Sequence, residues 1–532
     1  MTTYTVITFA PVQGFIEKSR KLRDLYGASQ ILSYLSYCIV KAADSAGLEV
    51  ISPAIRKGEL SIDLIQGMPN RILIVGDIER DKACTLFRNT LYGAWSNIIK
   101  ACKDWVEQEI KHHVDAETNQ EYSWKKYDWN MSWKRWEMHA WEIFLGQGDC
   151  IESAMKDLET RKLRRGWTVP NWNGESSSLS GHDAIAYPNM DRQITNANKR
   201  NEGREKQEIE NFYAKLANAL ENSKEEDEPK FLDPSEKLSI PELIKRLVTH
   251  YQVTRDIPLF PRTKRFSELL RKEDDNEKAT RGYWTGWFMG DGDKVGDHLK
   301  SLKDDQSVAN FSQSLRSWGR QFQSGFKNLG RVIYAGGDDF LGVMYGIRNG
   351  TEEQKQRKGL EAIDWLIGLR KDWQSGNLGI SLSVGFVWAG HSVPQRDVLQ
   401  HCREAEKLAK NLGRDRVTIR VVFNNGQFVQ WTTPWEYLEW LKDYRDRDGG
   451  ASWSHVYGDL AQLKARHAIS PKSMKEADSH IALELFKLYF GEENHGELSR
   501  KRSDITNTEE PKALIQWIEG MIQVGWQLCS NG

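Results

Sequence analysis

Gly336-Gly337-Asp338-Asp339 stands between two apolar runs, Arg331-Val-Ile-Tyr-Ala335 and Phe340-Leu-Gly-Val-Met-Tyr345. This pattern predicts a β-hairpin whose tight turn presents two adjacent carboxylates. The glycines allow positive φ and close approach of a ligand to the backbone. Paired carboxylates at a strand end hold Mg²⁺ or Mn²⁺ against nucleotide phosphates. About 45 residues upstream, a second apolar strand also ends in acids: Trp284-Thr-Gly-Trp-Phe-Met-Gly-Asp291-Gly292-Asp293-Lys294.

The pattern on either side of these strands predicts an α+β chain built around two similar palms. Thr5–Ala10 reads as a strand and Val12–Ala46 as a long helical region. Glu49–Ser52 and Arg71–Val75 follow as strands, with a helix from Glu79 to about Glu109 and a fourth strand at Ala140–Leu145. Strands alternating with helices in this way make a ferredoxin-like unit. The order repeats from Trp284. A helix is marked by Val308, Phe311, Leu315, Trp318, Phe322 and Phe326 at 3–4 residue spacing, and the glycine–aspartate hairpin follows it. A second helix around Leu360–Leu369, a strand at Ile380–Phe386, a helix from Val398 to Leu412 and a strand at Val417–Phe423 complete the repeat.

The domains expected are a first palm (1–150), a helical insertion (151–280), a second palm (281–430) and a helical C-terminal domain (431–532). Within the insertion, Ser176–Gly181 reads as a flexible loop and Lys199–Lys230 as a charged helix or linker. A length of 532 residues suits several cores rather than one.

Composition narrows the class. Lys and Arg number 74 against 75 Asp and Glu, whereas a stand-alone nucleic-acid binder is usually basic. Any RNA is therefore met through local patches or within an assembly. Six scattered cysteines without a Cys-x-x-Cys pair exclude a standard zinc ribbon and argue against a disulfide framework. The N-terminus reads as a first strand rather than a signal peptide, and no apolar run nears the ~18 residues of a membrane span. The setting expected is cytoplasmic, without a membrane partner. The 21 tryptophans, concentrated around 124–142, 284–287 and 431–453, are expected to pack cores and interfaces. Stacking platforms for bases are the alternative.

In a palm sheet the first strand and the central hairpin are neighbours, so Asp291, Asp338 and Asp339 are expected to converge at one rim. Three carboxylates with a backbone carbonyl can hold two divalent ions. Those ions activate a 3′-hydroxyl, stabilise charge on an α-phosphate and orient the pyrophosphate leaving group. Without cations such a cluster is costly. A polar hairpin turn with a capping Asp is the plain alternative. Lys410, at the end of its helix, can reach the β- and γ-phosphates of a nucleotide; a solvated basic residue at a helix C-terminus explains it equally well.

Asp291-Gly-Asp293-Lys-Val-Gly296 followed by Gly336-Gly-Asp-Asp339 resembles the large polymerase/cyclase subunit of type III, Cmr-type CRISPR effector complexes. The N-terminal stretch resembles that family's first palm, with Pro11-Val-Gln13, Arg23-Asp-Leu25 and Ser29-x-x-Leu-Ser33 in register. The resemblance extends over both palms and the helical parts, nearly the whole chain. It implies target-RNA-activated joining of ATP by 3′–5′ linkages into cyclic oligoadenylates, an antiviral second messenger. Carried over, Asp291, Asp338 and Asp339 would hold Mg²⁺ or Mn²⁺, with Gly292, Gly336, Gly337 and Lys410 at the nucleotide. Ser19, Arg23 and Ser29 of the first palm would help hold the acceptor ATP. The partners implied are the other type III effector subunits, guide RNA and target RNA.

Two departures qualify the likeness. Many members begin with an HD nuclease domain, whereas this sequence starts at the first palm, and its single His-Asp dipeptide, His182-Asp183, lies in a Ser/Gly loop. DNA cleavage is not expected. Where the family carries a zinc-binding Cys-x-x-Cys-Gly, this chain has Ser177-Ser-Leu-Ser180-Gly181, and Ser239 takes another ligand's place. Serine is a poor zinc ligand, so no structural zinc is expected. Two other readings of the whole chain stand beside the cyclase. One is a scaffold subunit with an inactive palm; the other is a stand-alone nucleotide cyclase.

Overall fold

The computed structural model describes residues 3–55, 67–111, 127–164, 175–188, 202–224, 230–261, 269, 271, 282–302, 304–346, 351–450 and 452–530. The four expected segments gather into two compact units. One comprises Met1–Glu268 with Lys303–Gln313, the other Leu269–Leu302 with Ser314–Gly532.

The first unit is built on strands β1 (Thr3–Ala10), β2 (Glu49–Ser52), β3 (Arg71–Gly76) and β4 (Glu142–Gly148). They pair antiparallel in the order β2-β3-β1-β4. This is the ferredoxin-like arrangement expected. The predicted long helix is two, Gln13–Glu17 and Leu22–Ser45. The insertion shares a continuous apolar core with the palm, running from Ile7 and Trp95 through Phe212, Leu216 and Leu243.

Two helices of this unit meet at Gly27. A β-carbon there would stand 2.0 Å from the Lys245 carbonyl oxygen, so the helix Ile240–Leu247 lies directly on Leu22–Ser45. Arg246 crosses that contact fully buried. Its Nε donates to Asp24 Oδ1 (2.6 Å), its Nη2 to Asp24 Oδ2 (2.9 Å) and its Nη1 to Glu236 Oε2 (2.9 Å). Burial alone would raise the Asp24 pKa; the Arg246 guanidinium outweighs it and holds the carboxyl below its ordinary value.

The second unit holds β5 (Thr285–Gly292), β6 (Gly330–Ala335), β7 (Asp339–Met344), β8 (Leu382–Ala389), β9 (Arg416–Val422) and β10 (Phe428–Pro434). Their order is β10-β9-β8-β5-β7-β6. The four strands β8-β5-β7-β6 repeat the palm order, and β9 joins β8 in parallel. Strand β10 differs from expectation, since it runs past residue 431, where the helical C-terminal domain is expected to begin. Gln430, Thr432 and Thr433 break any regular alternation around the buried Trp431, and pairing with β9 makes the strand. Helices Ser454–Ala465, Glu476–Arg500 and Pro511–Cys529 then follow.

The tryptophans in the described residues mainly fill cores. Trp95, Trp129, Trp133, Trp141, Trp287, Trp431 and Trp453 are among the largest fully buried side chains. Trp431 of β10 meets Trp517 of the last helix edge-on at 5.3 Å, which seats that helix on the sheet. Among the described residues, no helix is long and apolar enough to cross a membrane.

Candidate active site

The acids of the second unit are brought together by strand register. β5 and β7 pair antiparallel with Asp291 opposite Asp339, so both side chains leave the same face of the sheet. The turn before β7 is closed by Gly336 N donating to Asp339 O at 3.2 Å. Gly337 has φ 97°, a conformation that strains any side chain. Gly292 N donates to the Asp338 carbonyl at 2.8 Å. A β-carbon at Gly292 would lie 2.7 Å from Ile380 Cδ1 and 3.2 Å from Asp338 Cβ. The missing side chain therefore lets the Asp338 turn close on the end of β5.

Repulsion is legible in the electrostatics. Asp339 combines dense surrounding protein with an open edge to water. Desolvation, then the Asp338 and Asp291 charges, push its carboxyl up to about 8, and the open edge moderates the first of these. Tyr334 of β6 reaches the same rim; burial, then Asp339 and Asp291, raise its pKa well above the ordinary value.

Lys410 brings a cation to these carboxylates. Lys410 Nζ donates to Asp291 Oδ2 and lies 2.5 Å from Glu406 Oε1. Burial opposes the ammonium, but the contacts to Asp291 and Glu406 outweigh it and raise its pKa. Glu406 is itself raised, by burial first. Both residues belong to the helix Gln395–Asn411, which lies on β8 through Gly385. A β-carbon at Gly385 would stand 2.4 Å from the Cys402 carbonyl oxygen and 2.4 Å from the Glu406 amide nitrogen. Because β8 pairs with β5, this seat carries Glu406 and Lys410 to Asp291.

Asp293 sits outside this group. Its buried carboxylate accepts from Ser381 Oγ (2.8 Å), Ser383 Oγ (2.7 Å) and Asp415 N (3.0 Å). It clamps the end of β5 to the start of β8 and to the turn before β9. In that turn Gly413, Arg414 and Asp415 all have positive φ.

Glu406 and Tyr334 escaped the reading of the sequence. Glu406 carried a signal, since it precedes Lys410 by four residues and so shares its helix face. Tyr334 looked like any apolar strand residue.

Ser19, Arg23 and Ser29 belong to the first unit and are buried. Arg23 Nη1 donates to Thr249 Oγ1 at 3.3 Å, and its guanidinium lies 3.7 Å from the centre of the Phe231 ring. The serine cluster expected at the family's zinc position is assembled around a carboxylate. Ser177 Oγ donates to Glu242 Oε1 (3.1 Å) and lies 3.2 Å from Ser180 Oγ, while Ser239 N donates to Glu242 Oε2 (2.8 Å). The segment Ser176–Gly181, expected to be a flexible loop, is a tied turn. Ser176 bridges Ala184, Ser177 N donates to Asp183 O, and Gly181 N donates to Ser177 O.

Three chemical facts describe the site. Its donors are hard oxygens suited to Mg²⁺ or Mn²⁺, its acids repel one another without a cation, and a lysine ammonium is held against one of them.

Residues 284–418 match the family model described as Cas10/Cmr2, second palm domain, and residues 4–115 match CRISPR-associated protein Cmr2, N-terminal. A curated relative, the CRISPR system Cmr subunit Cmr2 of Pyrococcus furiosus, is 27% identical over 168 residues. That stretch spans 30% of this chain and 18% of the relative's length. Among solved structures, a chain of a type III-B Cmr-beta cryo-EM structure in its apo state is similar with TM-score 0.60 and 11% identity. The likeness covers 98% of this chain and 82% of that one, and it is a likeness of fold.

Proposed function

This chain belongs to the Cas10/Cmr2 family, and from that premise we propose that it is the large subunit of a type III CRISPR effector complex that makes cyclic oligoadenylates from ATP. The observation that carries the reading is the register of β5 on β7, which sets Asp291 opposite Asp339 and beside Asp338, with Lys410 on Asp291. The proposed partners are the other subunits, a guide RNA and a target RNA that switches synthesis on. The proposed setting is the cytoplasm.

In this reading Asp291, Asp338 and Asp339 hold Mg²⁺ or Mn²⁺. Bound there, the ions would supply Lewis-acid activation of a 3′-hydroxyl and charge neutralisation at the attacked α-phosphate. The residues of the chain do the positioning. Gly336 and Gly337 keep the turn bare, so the nucleotide approaches the backbone closely. Gly292 keeps the end of β5 clear for the Asp338 turn. Lys410 offers its ammonium to the β- and γ-phosphates. Asp293 and Gly385 fix the strand end and the helix against which these groups work. Arg23 braces the Leu22–Ser45 helix against Phe231 and Thr249, and Ser19 and Ser29 are buried in the same first palm.

The test is a product assay on the chain assembled with its partner subunits and guide RNA. Labelled ATP and Mg²⁺ or Mn²⁺ are supplied with and without complementary target RNA. Cyclic oligoadenylates formed only with target are the expected result, and Asp338→Asn with Asp339→Asn is expected to abolish them while assembly persists. Equal synthesis without RNA favours a stand-alone cyclase. An assembled complex that makes no product favours a scaffold subunit.

A further inference from the structure

We propose that Lys410 is a built-in counter-cation that competes with a divalent metal for Asp291, and that Glu406 is the positioning residue that receives its ammonium when the metal enters. The inference rests on the reading of the acid rim as a metal site. It concerns how that site is kept before metal arrives.

The geometry separates a rigid partner from a movable one. Glu406 is held from behind, because its amide lies against β8 at Gly385 and its side chain is only 14% exposed. Lys410 follows one helical turn later on the same face, and its four-carbon arm spans from Glu406 to Asp291. The ammonium takes one lone-pair direction of Asp291 Oδ2 and sets a positive charge where a second cation would approach that oxygen. A divalent ion that binds Asp291 from that side therefore has to displace Lys410. With Glu406 alongside, it leaves by a small swing and stays paired, avoiding a desolvated, unpaired charge. A phosphate arriving with a nucleotide offers the same ammonium another anion, so linkage makes metal and nucleotide favour each other's binding.

The helix supplies its own control. Lys407 carries the same charge on the same helix and is exposed, one position after Glu406. A general electrostatic effect on the acid rim would be felt from Lys407 as well as from Lys410, whereas displacement would not.

The experiment is a Mn²⁺ titration of the nucleotide-free full chain, followed by the loss of the free-ion paramagnetic resonance signal. Lys410→Met is expected to tighten Mn²⁺ binding about tenfold, within the roughly 5–150-fold range of couplings between sites. Glu406→Gln is expected to weaken it severalfold, because Lys410 then has Asp291 as its one carboxylate. Lys407→Met is expected to leave it unchanged. Unchanged affinity in Lys410→Met, or an equal gain in Lys407→Met, overturns the proposal. Asp291→Asn separates the two levels of argument. If it weakens Mn²⁺ while Lys410→Met does nothing, the metal site stands and the competition fails. If it has no effect, or no form of the chain binds Mn²⁺, the site reading fails and the competition with it.

Discussion

Replacing Gly385 with alanine should damage the site from beneath, without altering any group proposed to touch metal or nucleotide. The new β-carbon would stand 2.4 Å from Cys402 O and 2.4 Å from Glu406 N, and 3.0 Å from the Ala405 carbonyl carbon. Ordinary contact begins near 3.4 Å, and all three neighbours are backbone, which cannot rotate away. The Gln395–Asn411 helix must therefore retreat by about 1 Å, an overpacking strain of roughly 1–3 kcal/mol. In a unit of this size each kcal/mol lowers the melting temperature by about 2–4 °C. A 1 Å displacement of groups that position a substrate costs on the order of 10²-fold in rate. The paired assays are calorimetric melting of the full chain and oligoadenylate synthesis by the assembled complex. A variant with unchanged melting and full activity would refute the seat that Gly385 is argued to provide.

Three further outcomes follow from the same contacts. Arg246→Met leaves Asp24 buried without its guanidinium, held by the Arg20 and Lys21 amides alone, and should cost the first unit about 3–5 kcal/mol, read as a lowered urea midpoint; a change under about 0.5 kcal/mol would remove Arg246 from the account. Asp339 has a folded pKa of about 8 against roughly 3.9 unfolded, so without metal the folded chain keeps a proton that the unfolded chain has lost. Stability of the metal-free second unit should therefore fall as pH rises from about 4 to 8, and Asp339→Asn should reduce that slope, leaving the parts due to Glu406 and Asp415, whose carboxyls burial also raises. Glu242→Gln removes the charge that ties Ser177 and Ser239 and should cost about 1–3 kcal/mol, measured by unfolding of the first unit; an unchanged midpoint would mean the serines hold themselves.

Much of the palm architecture was legible because its signals are local. The alternation of Ile380–Phe386, the 3–4 spacing from Val308 to Phe326 and the double-glycine turn each lie within a short window. Boundaries moved by a few residues where tertiary bonds intervene. The strand expected from Ile380 begins at Leu382, beside Ser381 and Ser383, whose hydroxyls are taken by Asp293. β10 was missed because its side chains alternate too weakly to reveal a strand away from its partner β9. Asp293 and Asp291 look alike in sequence. Buried hydroxyls around one and an open rim around the other make the first a clamp and the second a candidate ligand.

By itself the sequence determined the two palms, the hairpin turn and the presence of three acids with a lysine after them. Residue type and spacing act over a few positions, and those features need nothing more. Tertiary structure decided which acids face one another, through the register of β5 on β7, and which cation meets them, through the seat of a helix on Gly385. It also decided that Glu242, in place of any thiolate pair, joins the serine turn to its neighbours. Those choices depend on strand register and on close approach between residues far apart in sequence, where one missing β-carbon sets the distance.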